Sequence, residues 1–169
     1  MKYFLLFFLL ASFHLSGQED TYLNDFQSKW TNATAYTIEI AELMPEEHYD
    51  FRPTPEIRSF REQLHHTMQN VIWLCTNYLG DEPFKEDLKN MELKKDELIV
   101  LLKKVSDFSQ QIVQELEPHD LRMKVQFFAG PMRRNQILTL LNDHMTHHRG
   151  QMILYLRLKG VKPPRYRGW

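Results

Sequence analysis

Apolar residues recur along this chain at steps of three and four, the spacing of helices that bury one face. The first such run spans roughly Thr21 to Met44, where Leu23, Phe26, Trp30, Ala33, Ile40 and Met44 form one stripe and Pro45 ends it. The loop PEEHYDFRPT follows. Thr54, Pro55 and Glu56 then have the cap, first-turn proline and first-turn acid of a helix start. They predict a second helix striped by Ile57, Phe60, Leu64, Val71, Leu74 and Tyr78 and closed at Gly80. Residues 81–93 are polar, contain Pro83, and read as a connection. A third helix is predicted over about Leu93 to Leu116, striped by Leu98, Leu101, Val105, Phe108 and Ile112, ending before Pro118. MKVQFFAGP is short and partly alternating, a strand-like crossover. A fourth helix begins near Met132 and ends at Gly160, ahead of Pro163 and Pro164. With no repeats, no low-complexity segments and no alternation of strands with helices, the expected fold is an all-α four-helix bundle.

The pattern differs over residues 1–17. Lys2 precedes an apolar run from Tyr3 to Ala11, and SFHLSG then ends in small residues. This layout predicts a signal peptide at 1–17, cleaved near Gly17–Gln18, with the bundle domain at 18–169. A buried first helix is the rival reading; it is set behind because nothing polar interrupts the run to give it an outer face. The run is shorter than the roughly 20 apolar residues that span a bilayer, and no cysteine follows it to carry a lipid. An exported protein, periplasmic or secreted, without a stable membrane anchor is therefore expected. Losing Lys2 takes the formal charge from −1 to −2.

Composition narrows the partners. A chain of 169 residues with 43% hydrophobic content suits one domain with one core. A net charge of −1 and a pI near 6.7 offer no electrostatic case for nucleic acid or an anionic membrane, and Lys162, Arg165 and Arg167 are too few to change that. Cys75 is alone, which excludes an intramolecular disulfide. Nine residues from His66, it falls on the opposite side of its helix and reads as a small core residue.

The candidate chemistry lies in the last helix, ILTLLNDHMTHHRGQMILYLRLKG. His144 and His148 stand at i and i+4, on one face about a turn apart, so two imidazoles can reach one metal ion without bending the backbone. Ile137, Leu141, Met152 and Tyr155 share that side, which turns the pair inward. The spacing alone is equally compatible with two core histidines, so a third ligand is needed. The second helix offers His65 and His66 in REQLHHTMQN, and a helical wheel does not choose between them. His66 shares a side with Gln63, Asn70 and Trp73, a polar and aromatic surface suited to a pocket. As structure alone, either is a solvated histidine; His48, His119 and His147 have the same default, and His14 leaves with the signal peptide.

At this point the mature chain resembles the DinB-like (DinB/YfiT-like) family of four-helix-bundle metalloenzymes over nearly all its length. MPEEHYDFRPTPEIRSFREQLHHTMQN resembles the family's first-helix exit and second helix; FFAGPMRRNQILTLLNDHMTHHRGQMILYLRLKGVKPPRY resembles its last helix and tail. The resemblance implies a three-histidine metal site at His66, His144 and His148, because the family's second-helix ligand aligns with the second histidine of REQLHHT. It also implies a divalent ion, zinc, nickel or iron for an all-imidazole set, a small-molecule substrate, and a homodimer. The family's known activities, thiol-dependent isomerisation and S-transfer, belong to branches that these motifs do not identify. Low-molecular-weight thiols are chiefly cytosolic, so export directs the expectation to a metal-dependent transferase or hydrolase. The alternative is a metal or small-ligand binding protein without turnover, since the sequence offers no obvious general base near the triad: Asp143 points about one hundred degrees from His144, and Glu62 is no more than a candidate. An inert bundle comes last. Gln63, Asn70 and Tyr155 are expected to orient a substrate, and Arg149 to pair with an acid or cap a helix.

Overall fold

Four long helices enclose those apolar stripes in a computed structural model that describes the backbone of residues 2–90 and 93–169, and their side chains from Thr21 onward. Helix α1 spans Lys2–Leu43, beginning before the expected Thr21. Its stripe of Leu23, Phe26, Trp30, Ala33 and Ile40, continued by Met44, is buried throughout. The expected signal peptide at 1–17 lies outside the residues described in side-chain detail. Pro45 leads into a short 3₁₀ turn at Glu46–His48.

Helix α2 spans Phe60–Leu74 and continues as a π turn at Cys75–Leu79. It does not begin at Thr54. Ser59 is its cap: the hydroxyl accepts from the Glu62 N–H at 3.3 Å, and the Glu62 carboxylate accepts from the Ser59 N–H at 2.6 Å. The N–H groups of Phe60 and Arg61 donate to the carbonyls of Phe51 and Tyr49 at 3.0 and 2.8 Å. The orphan donors of a helix start are thus satisfied at Ser59, which leaves Thr54-Pro55-Glu56 as loop and exposes Ile57, expected in the stripe. Gly80 ends α2 as expected. Its φ of −131° is open to any residue, so its role is space: a Cβ there would meet Ile112 at 3.0 Å.

Helix α3 spans Lys95–Glu115 and buries Leu98, Leu101, Val105 and Ile112. After a 3₁₀ turn at Pro118–Arg122, strands β1 (Lys124–Phe127) and β2 (Gly130–Arg133) pair antiparallel with Val125 opposite Met132. The expected crossover is therefore a hairpin that doubles back on itself. Gly130, at φ +112°, takes the left-handed backbone its turn requires. Helix α4 spans Arg134–Leu158.

Contacts across the bundle set the helix directions. Trp30 donates to Ser109 and Gln27 to the Val113 carbonyl, so α1 and α3 are antiparallel. Tyr22 meets Asn135 and Arg149 meets Ala33, so α1 and α4 are parallel. Tyr155 meets Arg58 and His144 meets His66, so α2 and α4 are antiparallel. It follows that α2 and α3 run in the same direction, and the segment 80–94 must travel back along the bundle. Extended chain covers about 3.3 Å per residue against about 1.5 Å for a helix, so a connection of this length suffices. Among the described residues no helix is long and apolar enough to cross a membrane.

Candidate metal centre

The antiparallel packing of α2 on α4 sets His66 across from His144 and His148. The Nε2 atoms of His66 and His144 are 3.1 Å apart. One ring nitrogen from each of the three histidines lies within 4.8 Å of the other two, and the ring centroids are 4.4 to 4.9 Å apart. Two nitrogens held at about 2.0–2.1 Å on one tetrahedral ion would be about 3.3 Å apart. The His66–His144 pair therefore already has ligand spacing, and the donor set is one that divalent transition ions accept.

Electrostatics agree with that use. Burial, then the charges of the neighbouring histidines, lowers the pKa of His144 to about 4 and that of His148 to about 3. Burial first and the Arg58 charge second also lower that of His66. All three are then neutral near pH 7, which is the form with a lone pair to give a metal.

His148 is held from behind. Its Nδ1 lies 2.6 Å from Gln63 Oε1. The Gln63 amide nitrogen is engaged as a donor to Gln151 Oε1 and, at 3.3 Å, to the Tyr155 hydroxyl. The amide oxygen therefore faces His148, and Nδ1 carries the hydrogen, leaving Nε2 as the free acceptor. The Tyr155 hydroxyl donates in turn to the Arg58 carbonyl at 2.9 Å. His144 has no such support: its Nδ1 is buried without a hydrogen-bond partner among the described residues.

A cleft of about 340 Å³ opens beside His66, lined also by Arg52, Arg58, Glu62, His65 and Gln69. A larger groove of about 830 Å³, between Phe84 and Phe108, contains none of the three histidines.

Other expected residues fall differently. Gln63 and Tyr155 are buried and bonded to one another, so they support His148 and do not face a substrate. His65 is not solvated: it is buried at 1% exposure, and its ring is bonded by the Gln69 side chain and by the backbone of Leu88, from the connection that follows α2. His147 is exposed, with Nε2 2.9 Å from the Gln151 amide nitrogen. Among the described residues Arg149 meets no acid and caps no helix. It is buried, donates to the Ala33 carbonyl at 3.2 Å and to the Thr146 hydroxyl at 3.1 Å, and lies over the Tyr36 ring. Glu62 is engaged by Ser59 and Arg52, which hold its carboxyl below its ordinary pKa. Asp143 is exposed. Cys75 is fully buried with its thiol pushed up to about 12, as a core residue should be. Sequence reasoning missed Arg58 and Gln151; the only signal for Gln151 was its place in HHRGQ, one turn after His147.

Comparison with known proteins gives a consistent picture. The model of the family described as the DinB family matches residues 18–168. The uncharacterised protein YjoA of Bacillus subtilis is 23% identical over 140 residues, which cover 81% of this chain and 90% of that protein. Two crystal structures share the fold. A DinB-like protein from Bacillus cereus superposes with a TM-score of 0.71 at 23% identity, over 83% of this chain and 95% of the other. The DinB-like protein YjoA superposes with a TM-score of 0.69 at 21% identity, over 85% and 97%.

Proposed function

The chain belongs to the DinB family, and on that premise we propose that His66, His144 and His148 hold one divalent metal ion that serves chemistry on a small molecule, in a transferase or hydrolase. The observation that carries this reading is the meeting of three neutral imidazoles from two helices, with two Nε2 atoms 3.1 Å apart. An all-imidazole set suits zinc, nickel or iron. With three protein ligands such an ion supplies Lewis acidity and an open coordination position.

The chain's own residues have separate tasks. Gln63 fixes the tautomer of His148 and aims its Nε2, and Tyr155 and Gln151 fix Gln63. Ile137, Leu141 and Met152, which share the α4 face of His144 and His148, are fully buried and close the inner side of the triad to water. The cleft beside His66 admits a small molecule from the outer side.

One observation favours the rival reading of a binding protein without turnover. The one carboxylate beside His66 on α2, that of Glu62, already serves Ser59 and Arg52, so no unengaged carboxylate from that helix faces the cleft. The test compares metal-loaded protein, metal-free protein and His144→Ala on ester, amide and thiol-transfer substrates. Turnover that requires both the metal and His144 supports the enzyme. Turnover that survives in metal-free protein contradicts it, and silence on every substrate with tight metal binding intact favours the binding protein. Export of the mature chain from near Gln18 is part of the same proposal, supported by the apolar run after Lys2.

A further inference from the structure

Three arginines, Arg52 and Arg58 between α1 and α2 and Arg61 in the first turn of α2, have their charges disposed of unequally. Arg61 is paired with Asp50 at 2.8 Å, and Arg52 with Glu62 at 3.0 Å. Arg58 is exposed, and its guanidinium makes no ion pair or hydrogen bond among the described residues. Its backbone is not free to drift. The Arg58 carbonyl is bonded by Tyr155, and the residues after it are tied by Phe60 and Arg61 to the Phe51 and Tyr49 carbonyls.

Arg58 therefore projects from a pinned backbone into the same cleft as His66. Its charge is felt at all three imidazoles. A cation in that position opposes a metal dication, so metal binding alone gives no reason for it. An anion bound between the two would relieve the repulsion.

We propose that Arg58 binds a carboxylate of the substrate, so that the small molecule spans the cleft with its anionic end on Arg58 and its reacting end at the histidine triad. The planar guanidinium matches a carboxylate with two parallel hydrogen bonds. The cleft, about 340 Å³, lies at the small end of ligand sites, roughly 300–1,000 Å³. Glu56 also lines it, with its carboxylate on the Thr54 hydroxyl. With Arg52 offset by Glu62 and Arg58 by Glu56, the side chains of the cleft carry no net charge and the ion alone would make it positive, which favours a singly charged carboxylate over a doubly charged phosphate. The inference rests on the metal reading above and adds the substrate class to it.

The experiment uses two probes, 3-mercaptopropionate and its neutral amide, titrated by calorimetry into the zinc-loaded full chain. Each thiol can ligate the metal, and only the first carries a carboxylate. Zinc content is measured before either probe is added. The wild type is expected to prefer the acid over the amide, and Arg58→Gln to reduce that preference about tenfold while leaving zinc content and amide affinity unchanged. Arg58→Lys, which keeps the charge and loses the planar fork, should fall between. An acid-to-amide ratio equal in wild type and Arg58→Gln overturns the inference and leaves the metal reading standing. A wild type that takes up no zinc overturns the metal reading and this inference with it, and that failure is visible before any probe is added.

Discussion

Gln63 shows how one side chain can order a site it does not belong to. Its oxygen receives His148 Nδ1–H, and its nitrogen is held by Gln151 and Tyr155. Partners of this kind typically change metal affinity 10- to 100-fold. Gln63→Leu, close in volume, should lose metal affinity on that scale by calorimetry while keeping the helical circular-dichroism spectrum. Unchanged affinity would show that His148 needs no orienting partner. The histidines also set a pH dependence. In the unfolded chain an imidazole titrates near 6.5, whereas folded His144 and His148 titrate near 4 and 3. Between those limits the unfolded state binds protons that the folded state does not, so stability rises with pH there and falls on acidification. Metal-free protein should therefore melt lower at pH 5 than at pH 7, with a smaller difference in His144→Gln; an equal difference would contradict the assignment. The i, i+4 pair was readable in the sequence because helical spacing alone sets it. The helical wheel of α2 could not separate His66 from His65, because the Leu88 backbone that bonds the buried His65 comes from another part of the chain.

At the scale of elements, the start of α2 determines what lines the cleft. Two cap signals compete there, Thr54-Pro55-Glu56 and the Ser59–Glu62 box. The second prevails because the carbonyls of Tyr49 and Phe51 stand ready for the next two donors. Those partners are tertiary and invisible to local pattern. The outcome leaves Arg58 in a loop, outside the helix. Ser59→Ala should cost about 1 kcal/mol, a fall in Tm of roughly 2–4 °C for a chain of this size. Thr54→Ala should cost less, since Thr54 caps no helix; the reverse order would restore the earlier start. The hairpin was half legible: the alternation in MKVQFFAGP marked extended chain, but its doubling back depends on Gly130, whose positive φ no periodicity reveals.

For the whole molecule, four apolar stripes sufficed for the bundle, because each stripe must be covered by another. The order of directions did not follow from them: α2 and α3 run parallel only because the 80–94 segment returns along the bundle. Export is likewise a property of the entire chain. Intact mass from the native host should begin near Gln18, and a mass that includes Met1 to Gly17 would contradict it. The metal is the one proposed component that ties α2 to α4 through coordinate bonds, so its presence should show in both composition and stability. At one hundred times its dissociation constant, a ligand of the folded state adds about 2.7 kcal/mol. The most direct test is elemental analysis of protein purified without added metal, paired with a melting curve, for wild type, His66→Ala, His148→Ala and His147→Ala. The proposal predicts one divalent ion per chain and a raised Tm in wild type and His147→Ala, with both lost in the other two. A metal-free wild type that takes up no ion on titration, or loss of the ion in His147→Ala but not in His148→Ala, would contradict it.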